Sequence, residues 1–176
     1  MNNFKKEKKI KNPIVLKISP DIKDQDISNI IEVVFKHDIN GIIVSNTSDG
    51  SRELLSDIKK NEVGGLSGQP IQNLSTQLIK KFYKNINKKI PIIGVGGVDS
   101  GLSAFEKITA GANYVQLYTG MVYKGPGVVK EIKRDLISIL KKEKIKNITE
   151  AIGINAWPQN FLELYTLHNL CLKNAN

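Results

Sequence analysis

Pro91-Ile92-Ile93-Gly94-Val95-Gly96-Gly97-Val98-Asp99-Ser100 is the most informative stretch of this chain. A short apolar run that breaks into clustered glycines predicts a strand followed by a tight turn. Glycine has no Cβ, so its N–H can approach a ligand closely and a positive φ is allowed. Asp99 and Ser100 then offer N-cap oxygens to a helix that carries Leu102. The stretch therefore predicts an anion or phosphate site at a helix N-terminus, although an isolated glycine turn more often holds no ligand.

The rest of the chain repeats this strand-to-helix alternation. Apolar runs at 14–18, 41–44, 90–95 and 114–117 predict four strands, and apolar residues at helical spacing follow each of them. Such alternation predicts a parallel sheet with helices on its face, either doubly wound or a barrel. The glycine signals lie in the last two units, where (βα)8 barrels commonly bind a phosphate. We therefore expect an α/β fold, the second half of a (βα)8 TIM barrel with four parallel strand–helix units.

Composition excludes several classes of function. The 176 residues carry a net charge of +9, but the only arginines are Arg52 and Arg134. Nucleic-acid surfaces favour arginine for its bidentate geometry, so we interpret the scattered lysines as solvated surface and expect no nucleic-acid partner. No run approaches the ~20 apolar residues of a membrane span. The single cysteine, Cys171, excludes a cysteine zinc cluster, and we expect no metal site.

Three regions follow from the pattern. Residues 1–12 form a basic lead, residues 13–153 the barrel half, and residues 154–176 a divergent tail in which Trp157, Phe161 and Leu164 predict an amphipathic helix. Within the barrel half, residues 46–70 make a long connection that ends in a glycine-rich segment. Connections of this length are usually functional.

Five segments, in order and spacing, resemble dihydroorotate dehydrogenase, and specifically the C-terminal half of the quinone-linked class 2 enzymes. The resemblance covers residues 13–153, most of the chain. The five segments together are far more specific than any one of them. They are residues 15–21, 43–47, 64–70, 91–112 and 115–120.

The resemblance implies an FMN enzyme that oxidises dihydroorotate to orotate in de novo pyrimidine (UMP) biosynthesis and passes the electrons to a membrane quinone. It implies a peripheral inner-membrane location on the cytoplasmic side for the complete enzyme, whereas we expect this chain alone in the cytoplasm. The positions that match FMN-binding residues of the family are Lys17, Ser45, Gly68, Gly97, Tyr118 and Thr119. Those that match substrate-binding residues are Asn46 and Thr47.

Each of these positions has a physical interpretation beside the resemblance. Lys17 is a cation in a strand that otherwise suits burial, and in the family the matching lysine contacts the flavin, where a positive charge stabilises the reduced, anionic ring. A lysine that extends to solvent at a strand end is the alternative. The Asn46 amide both donates and accepts, which suits a pyrimidine edge. An Asx-turn is its alternative.

The family's catalytic base is a serine in the first half of the barrel, and no position here matches it. We therefore expect no catalytic base in this chain and no dihydroorotate dehydrogenase activity from the chain alone. Four strands leave two unpaired edges, so the expected partner is a separately encoded N-terminal half-barrel or a second copy. The alternative is a non-catalytic remnant that still binds FMN or phosphate. A tRNA dihydrouridine synthase is a weaker third interpretation, because it would require more arginine.

Overall fold

The computed structural model describes residues 12–53 and 55–157. Four strands alternate with helices along the chain, as the sequence predicts. A short 3-10 turn at Gln69–Ile71 precedes the second helix, and another at Ile148–Ala151 follows the last one. In chain order the elements are β1 (Val15–Ile18), α1 (Asp24–Lys36), β2 (Gly41–Val44), α2 (Gln72–Ile86), β3 (Ile92–Gly94), α3 (Gly101–Ala110), β4 (Tyr114–Val115), α4 (Thr119–Lys124) and α5 (Val128–Lys142).

The four strands form one parallel sheet in the order β1-β2-β3-β4. Its register pairs Lys17 with Ile43, Ile43 with Ile93, and Ile93 with Tyr114. Because all strands run in the same direction, their carboxyl ends lie along one edge of the sheet. Every loop that leads from a strand into the following helix therefore starts at that edge.

The core lies between the sheet and the helices α1 and α2. Phe82 and Ile79 of α2 are fully buried against Ile42 of the sheet. Their spacing on α2 follows the helical period, so one face of this helix is apolar and the opposite face is charged. A second, smaller cluster joins α3 to α5 through Ala104 and Ile132. These two clusters fix the helices behind the strands and so fix the loops at the carboxyl edge.

The helix after the glycine turn begins with a cap that the sequence predicts. Ser100 is the N-cap residue of α3, and its Oγ accepts a hydrogen bond from the Ser103 N–H. The Ser103 Oγ in turn accepts from the Ser100 N–H at 3.0 Å. This reciprocal capping box satisfies two N–H groups that no helical carbonyl reaches. It also fixes where the preceding turn must end.

Several boundaries differ from the sequence expectations. β3 and β4 are shorter than the apolar runs at 90–95 and 114–117, because ladder pairing is confined to Ile92–Gly94 in β3 and to Tyr114–Val115 in β4. The short helix α4 was not predicted, since its exposed residues show no apolar period. The long connection folds back on itself, because Ser48 and Leu66, near its two ends, exchange hydrogen bonds of 2.7 and 3.0 Å between their backbones.

The chain after α5 returns to the body of the domain. The Tyr83 hydroxyl donates to the carbonyl of Ile152 at 3.2 Å, and Ala156 is buried. The tail helix predicted through Phe161 and Leu164, and residues 1–11 of the lead, lie outside the described residues. Within the described residues, no helix is both long enough and apolar enough to cross a lipid bilayer.

Candidate functional site

A cavity of about 210 Å³ lies at the carboxyl edge of the sheet, among the loops that follow the four strands. All eight residues singled out from the sequence line it, although they come from four separate strand–helix units. They are Lys17, Ser45, Asn46, Thr47, Gly68, Gly97, Tyr118 and Thr119. The fold therefore brings into one place every residue that the sequence argument selected.

A wider cleft of about 540 Å³ continues outward from this cavity. Gly68, Gly97 and Thr119 line both spaces, and residues of the long connection form the outer wall. Pockets for small organic ligands typically have volumes of about 300–1,000 Å³. The inner cavity alone is smaller than that range, so a larger ligand would extend from it into the cleft.

The turn after β3 is shaped by two glycines with positive φ, 109° at Gly96 and 75° at Gly97. A Cβ on Gly97 would lie 2.3 Å from the Cβ of Gln72, and one on Gly96 would lie 2.8 Å from the Oγ of Ser75. Close packing against the first turn of α2 therefore requires both glycines. Among the described residues, neither glycine N–H has a hydrogen-bond acceptor. Both donors are free to bind an anion.

Lys17 lies on β1, at the edge of the sheet, and its side chain is exposed. The expectation of a buried strand is wrong here: only Ile18 of β1 is buried, because β1 has a neighbouring strand on one side alone in the described part of the chain. No carboxylate of the described residues forms an ion pair with Lys17. Its ammonium group therefore supplies an uncompensated positive charge to the cavity.

The segment after β2 combines one buried and two exposed polar side chains. Ser45 is fully buried, and its Oγ donates to the carbonyl oxygen of Asn46 at 3.1 Å. The Asn46 N–H donates to the carbonyl of Ile18 at 2.7 Å, which ties this segment to β1. Asn46 and Thr47 have exposed side chains. The amide and the Thr47 hydroxyl can therefore bind a ligand, and the Ser45 oxygen keeps acceptor capacity.

The loops after β2 and β4 meet at the opposite wall of the cavity. The Thr119 hydroxyl donates to the Oγ of Ser67 at 3.0 Å. Gly68 has φ 75°, and a Cβ there would lie 3.0 Å from the Cγ2 of Thr119. Tyr118 is 80% exposed, so its ring adds a free aromatic surface to the cavity. The absence of a side chain at Gly68 therefore lets Thr119 pack closely against its backbone at this wall.

Asp99 joins the turn after β3 to Gln69, which precedes α2, and to Lys124 at the end of α4, and was not identified from the sequence as more than a helix cap. Its carboxylate accepts a hydrogen bond from Gln69 Nε2 at 2.8 Å and lies 3.2 Å from the Nζ of Lys124. Partial burial acts to raise the pKa of Asp99, but the hydrogen bonds from Gln69 and Lys124 outweigh it and lower the pKa. Lys124 thus neutralises an acid that would otherwise repel an anion at the turn.

Lys107 is a second residue whose role was not identified from the sequence. It is fully buried, and its Nζ donates to the Gln72 carbonyl at 2.8 Å, to the Thr76 hydroxyl at 2.6 Å and to the Ser75 hydroxyl. Burial lowers the pKa of Lys107 to about 7, and the nearby Glu106 carboxylate opposes this effect. A buried lysine that donates only to neutral oxygens is unusual in a protein core.

A signal for Lys107 is present in the sequence of α3. Lys107 follows Ala104 by three residues and precedes Ile108 by one, so helical spacing places it on the buried face of the helix. Its acceptors lie more than 30 residues earlier in the chain. The spacing therefore reveals the burial, whereas nothing local reveals the partners.

Comparisons with known proteins agree with this architecture. A family model described as dihydroorotate dehydrogenase matches residues 2–140. The quinone-type dihydroorotate dehydrogenase of Trichodesmium erythraeum is 40% identical over 156 residues, which cover 85% of this chain and 41% of the relative. The mitochondrial quinone-type enzyme of Mus musculus is 44% identical over 81% of this chain and 36% of its own length. That of Vibrio cholerae is 49% identical over 70% and 37%.

Two solved structures of dihydroorotate dehydrogenase also match the fold of this chain. The dihydroorotate dehydrogenase of Eimeria tenella, in complex with ferulenol, superposes with a TM-score of 0.79 at 38% identity and covers 83% of this chain and 39% of that one. Its ligand-free form gives a TM-score of 0.78 at 39% identity over 82% of this chain and 40% of that one. The four strand–helix units are therefore part of a TIM barrel, as predicted.

The chain spans about two fifths of the length of the curated relatives that it matches. The range matched by the family model includes the sheet, the glycine turns and most of the helices behind them. The family model alone matches well over half of the chain. On these matches, and on a fold and site geometry that agree with them, the chain belongs to the dihydroorotate dehydrogenase family.

Proposed function

We propose that this chain is the C-terminal, FMN- and substrate-binding half of a quinone-linked dihydroorotate dehydrogenase, which oxidises dihydroorotate to orotate in pyrimidine biosynthesis. The observation that carries the proposal is the single cavity lined by all eight selected residues. The family is generally flavin-dependent, and bound FMN supplies the acceptor for the hydride that dihydroorotate loses. The residues that line the cavity suit such a group in charge and in hydrogen-bonding capacity.

The phosphate of FMN would bind where the turns after β2, β3 and β4 converge. Gly97 offers an N–H that has no acceptor among the described residues, and Gly68 lines the same cavity. Thr119 and Ser67 add hydroxyl groups at the same wall. A dianionic phosphate is stabilised by N–H and O–H donors that are already held in place.

The other side of the cavity suits the flavin ring and the substrate. Lys17 provides a positive charge without a carboxylate partner in the described part of the chain, which would stabilise negative charge on a reduced ring. Ser45 and Tyr118 would complete the flavin contacts. Asn46 and Thr47 would hydrogen-bond the substrate, because an amide and a hydroxyl match the alternating donors and acceptors of a pyrimidine.

The partner that completes the barrel is also part of the proposal. Among the described residues, β1 and β4 each pair with one strand only, so each has an edge that no described strand covers. Val15 at one edge is 39% exposed and Tyr114 at the other is 64% exposed. We propose that an N-terminal half-barrel covers these edges, supplies the serine base and places the assembled enzyme at a membrane surface that contains quinone. A second copy of this chain is the alternative partner.

Flavin retention tests the proposal. The purified chain is mixed with FMN and desalted, alone and with the N-terminal half of the Vibrio cholerae relative, and its visible absorption spectrum is recorded. We expect flavin to be retained with the added half, and dihydroorotate to bleach it. Light scattering on the same samples distinguishes a one-to-one complex of the two halves from a dimer of this chain.

Lys17→Ala is the informative variant in this assay. It removes the positive charge at the cavity and should lower FMN retention, whereas Lys36→Ala, an exposed lysine at the end of α1, should not. Unchanged flavin content in Lys17→Ala would remove Lys17 from the site. If flavin is retained neither by the chain alone nor by the chain with the added N-terminal half, the enzyme proposal is refuted and a non-catalytic remnant is favoured.

A further inference from the structure

Lys107 is a buried lysine to which the proposed function assigns no task. We propose that Lys107 is a positioning residue that holds the Gly96–Gly97 turn in place by joining α3 to the first turn of α2. The inference rests on the proposed function in one respect, since that function is what gives the turn an anion to bind. The connection itself is described by contacts within this chain.

The hydrogen bonds of Lys107 satisfy the whole ammonium group. An ammonium has three N–H donors, and three acceptors surround this one: the Gln72 carbonyl and the hydroxyls of Ser75 and Thr76. All three acceptors belong to the first five residues of α2. Lys107 therefore fixes the N-terminal turn of α2 at a set distance and rotation relative to α3.

The first turn of α2 also packs against the Gly96–Gly97 turn, on the side away from Lys107. Ser75 is fully buried, and its Oγ lies 3.3 Å from the carbonyl oxygen of Gly96. Without a Cβ at Gly97, the backbone of the turn packs directly on Gln72, where a Cβ would be only 2.3 Å from the Cβ of that residue. A shift in the start of α2 would thus displace both glycines and redirect their N–H groups.

Packing alone does not account for a lysine at this position. A methionine has nearly the same length and would fill the space without the cost of desolvating an ammonium. What a methionine lacks is the three directed donors. The lysine therefore contributes alignment of α2, and the element aligned most directly is the turn that the proposed function uses.

Backbone dynamics of the full chain test the inference without any ligand. Amide ¹⁵N relaxation would be measured for wild type, Lys107→Met and, as a control, Lys133→Met, which changes an exposed lysine of α5. In Lys107→Met we expect the order parameters of Gly96 and Gly97 to fall from about 0.85 to below about 0.6. Those of β2 and β3 should stay at the wild-type value, and Lys133→Met should change nothing.

Ser75→Ala is the second variant, for the case in which Lys107→Met does not fold. It removes the hydroxyl between Lys107 and the Gly96 carbonyl, yet leaves the contacts to Gln72 and Thr76. The same loosening of Gly96 is expected. Order parameters of Gly96 and Gly97 that remain at the wild-type value in whichever variants fold would overturn the inference.

Ligand binding distinguishes this inference from the proposed function. With the completing half-barrel present, Lys107→Met should weaken FMN binding by about tenfold to a hundredfold and leave riboflavin, which lacks the phosphate, unaffected. An equal loss of affinity for FMN and for riboflavin would contradict a role of Lys107 at the Gly96–Gly97 turn. If wild type binds neither ligand while the turn still loosens in Lys107→Met, the proposed function fails and the positioning role of Lys107 stands.

Discussion

The stability of this protein should depend on pH through Lys107. In the unfolded chain a lysine has its ordinary pKa of 10.5, whereas burial lowers the pKa of Lys107 to about 7 in the folded protein. Between these two values the unfolded state carries a proton that the folded state has lost. The free energy of unfolding therefore rises with pH across this window, and the destabilising effect of the buried charge is fully present below about pH 7.

The size of the effect follows from the linkage relation. Each pH unit inside the window contributes up to about 1.4 kcal/mol. Close to pH 7 Lys107 of the folded protein is only half deprotonated, so the free energy of unfolding rises by about 2 kcal/mol between pH 7 and pH 9. For a chain of this size such a change corresponds to roughly 4–8 °C in the unfolding temperature.

The hydrogen bonds need not be lost when the proton leaves. A neutral amine keeps two N–H donors and gains a lone pair, which can accept from the hydroxyl of Ser75 or Thr76. The arrangement around Lys107 is thus compatible with both protonation states. This is why we expect a change in stability rather than a change in structure when the pH is raised.

Urea unfolding at several pH values and constant ionic strength measures this dependence. The quantity to compare is the difference between wild type and Lys107→Met, because all other titrating groups are common to both and cancel. The difference should change by about 2 kcal/mol from pH 7 to pH 9 in favour of wild type. Lys133→Met should follow wild type throughout. If the free energies of unfolding of wild type and Lys107→Met change with pH in parallel, the reasoning is refuted.

Three further predictions concern the fold. Gly97→Ala should lower the free energy of unfolding by about 1–3 kcal/mol, because its Cβ would lie 2.3 Å from the Cβ of Gln72. The matched control is Gly127→Ala, at a helical φ of −58° with open space around it, which should not lower the unfolding temperature. Ser100→Ala removes the N-cap of α3 and should lower the free energy of unfolding by about 1 kcal/mol in urea; no loss would exclude a stabilising role for the capping box. Phe82→Ala opens the core and should cost about 3–5 kcal/mol by the same measurement, and a smaller loss would show that the core collapses into the space.

The sequence predicted the parts of this fold that depend on local periodicity. Strand and helix residues have different apolar periods, so four units could be recognised from their order alone. The common location of the site residues followed from one rule, since carboxyl ends of parallel strands share an edge. That rule placed Lys17, Asn46 and Thr119 together although they are far apart in the chain, and the cavity confirms the grouping.

Features that depend on distant partners could not be predicted. Lys17 has an exposed side chain because β1 is an edge strand, and burial of a strand is decided by its neighbours in space. The acceptors of Lys107 and the Gln69 and Lys124 partners of Asp99 come from other strand–helix units. Local spacing contains no information about such pairs. The hydrogen bonds of Lys107 and Asp99 around the Gly96–Gly97 turn could therefore not be predicted, whereas the turn itself was the clearest signal in the sequence.

The glycines of that turn show why a motif alone does not establish a ligand. The Cβ side of Gly96 and Gly97 faces the first turn of α2, which explains both glycines without any ligand. The N–H groups of the same residues have no acceptor among the described residues, which is what an anion site requires. A substitution at Gly97 mainly disturbs the packing side, so a loss of FMN binding in that variant would not identify a phosphate site. The comparison of FMN with riboflavin on unaltered glycines changes only the ligand, and it is therefore the measurement that separates the two explanations.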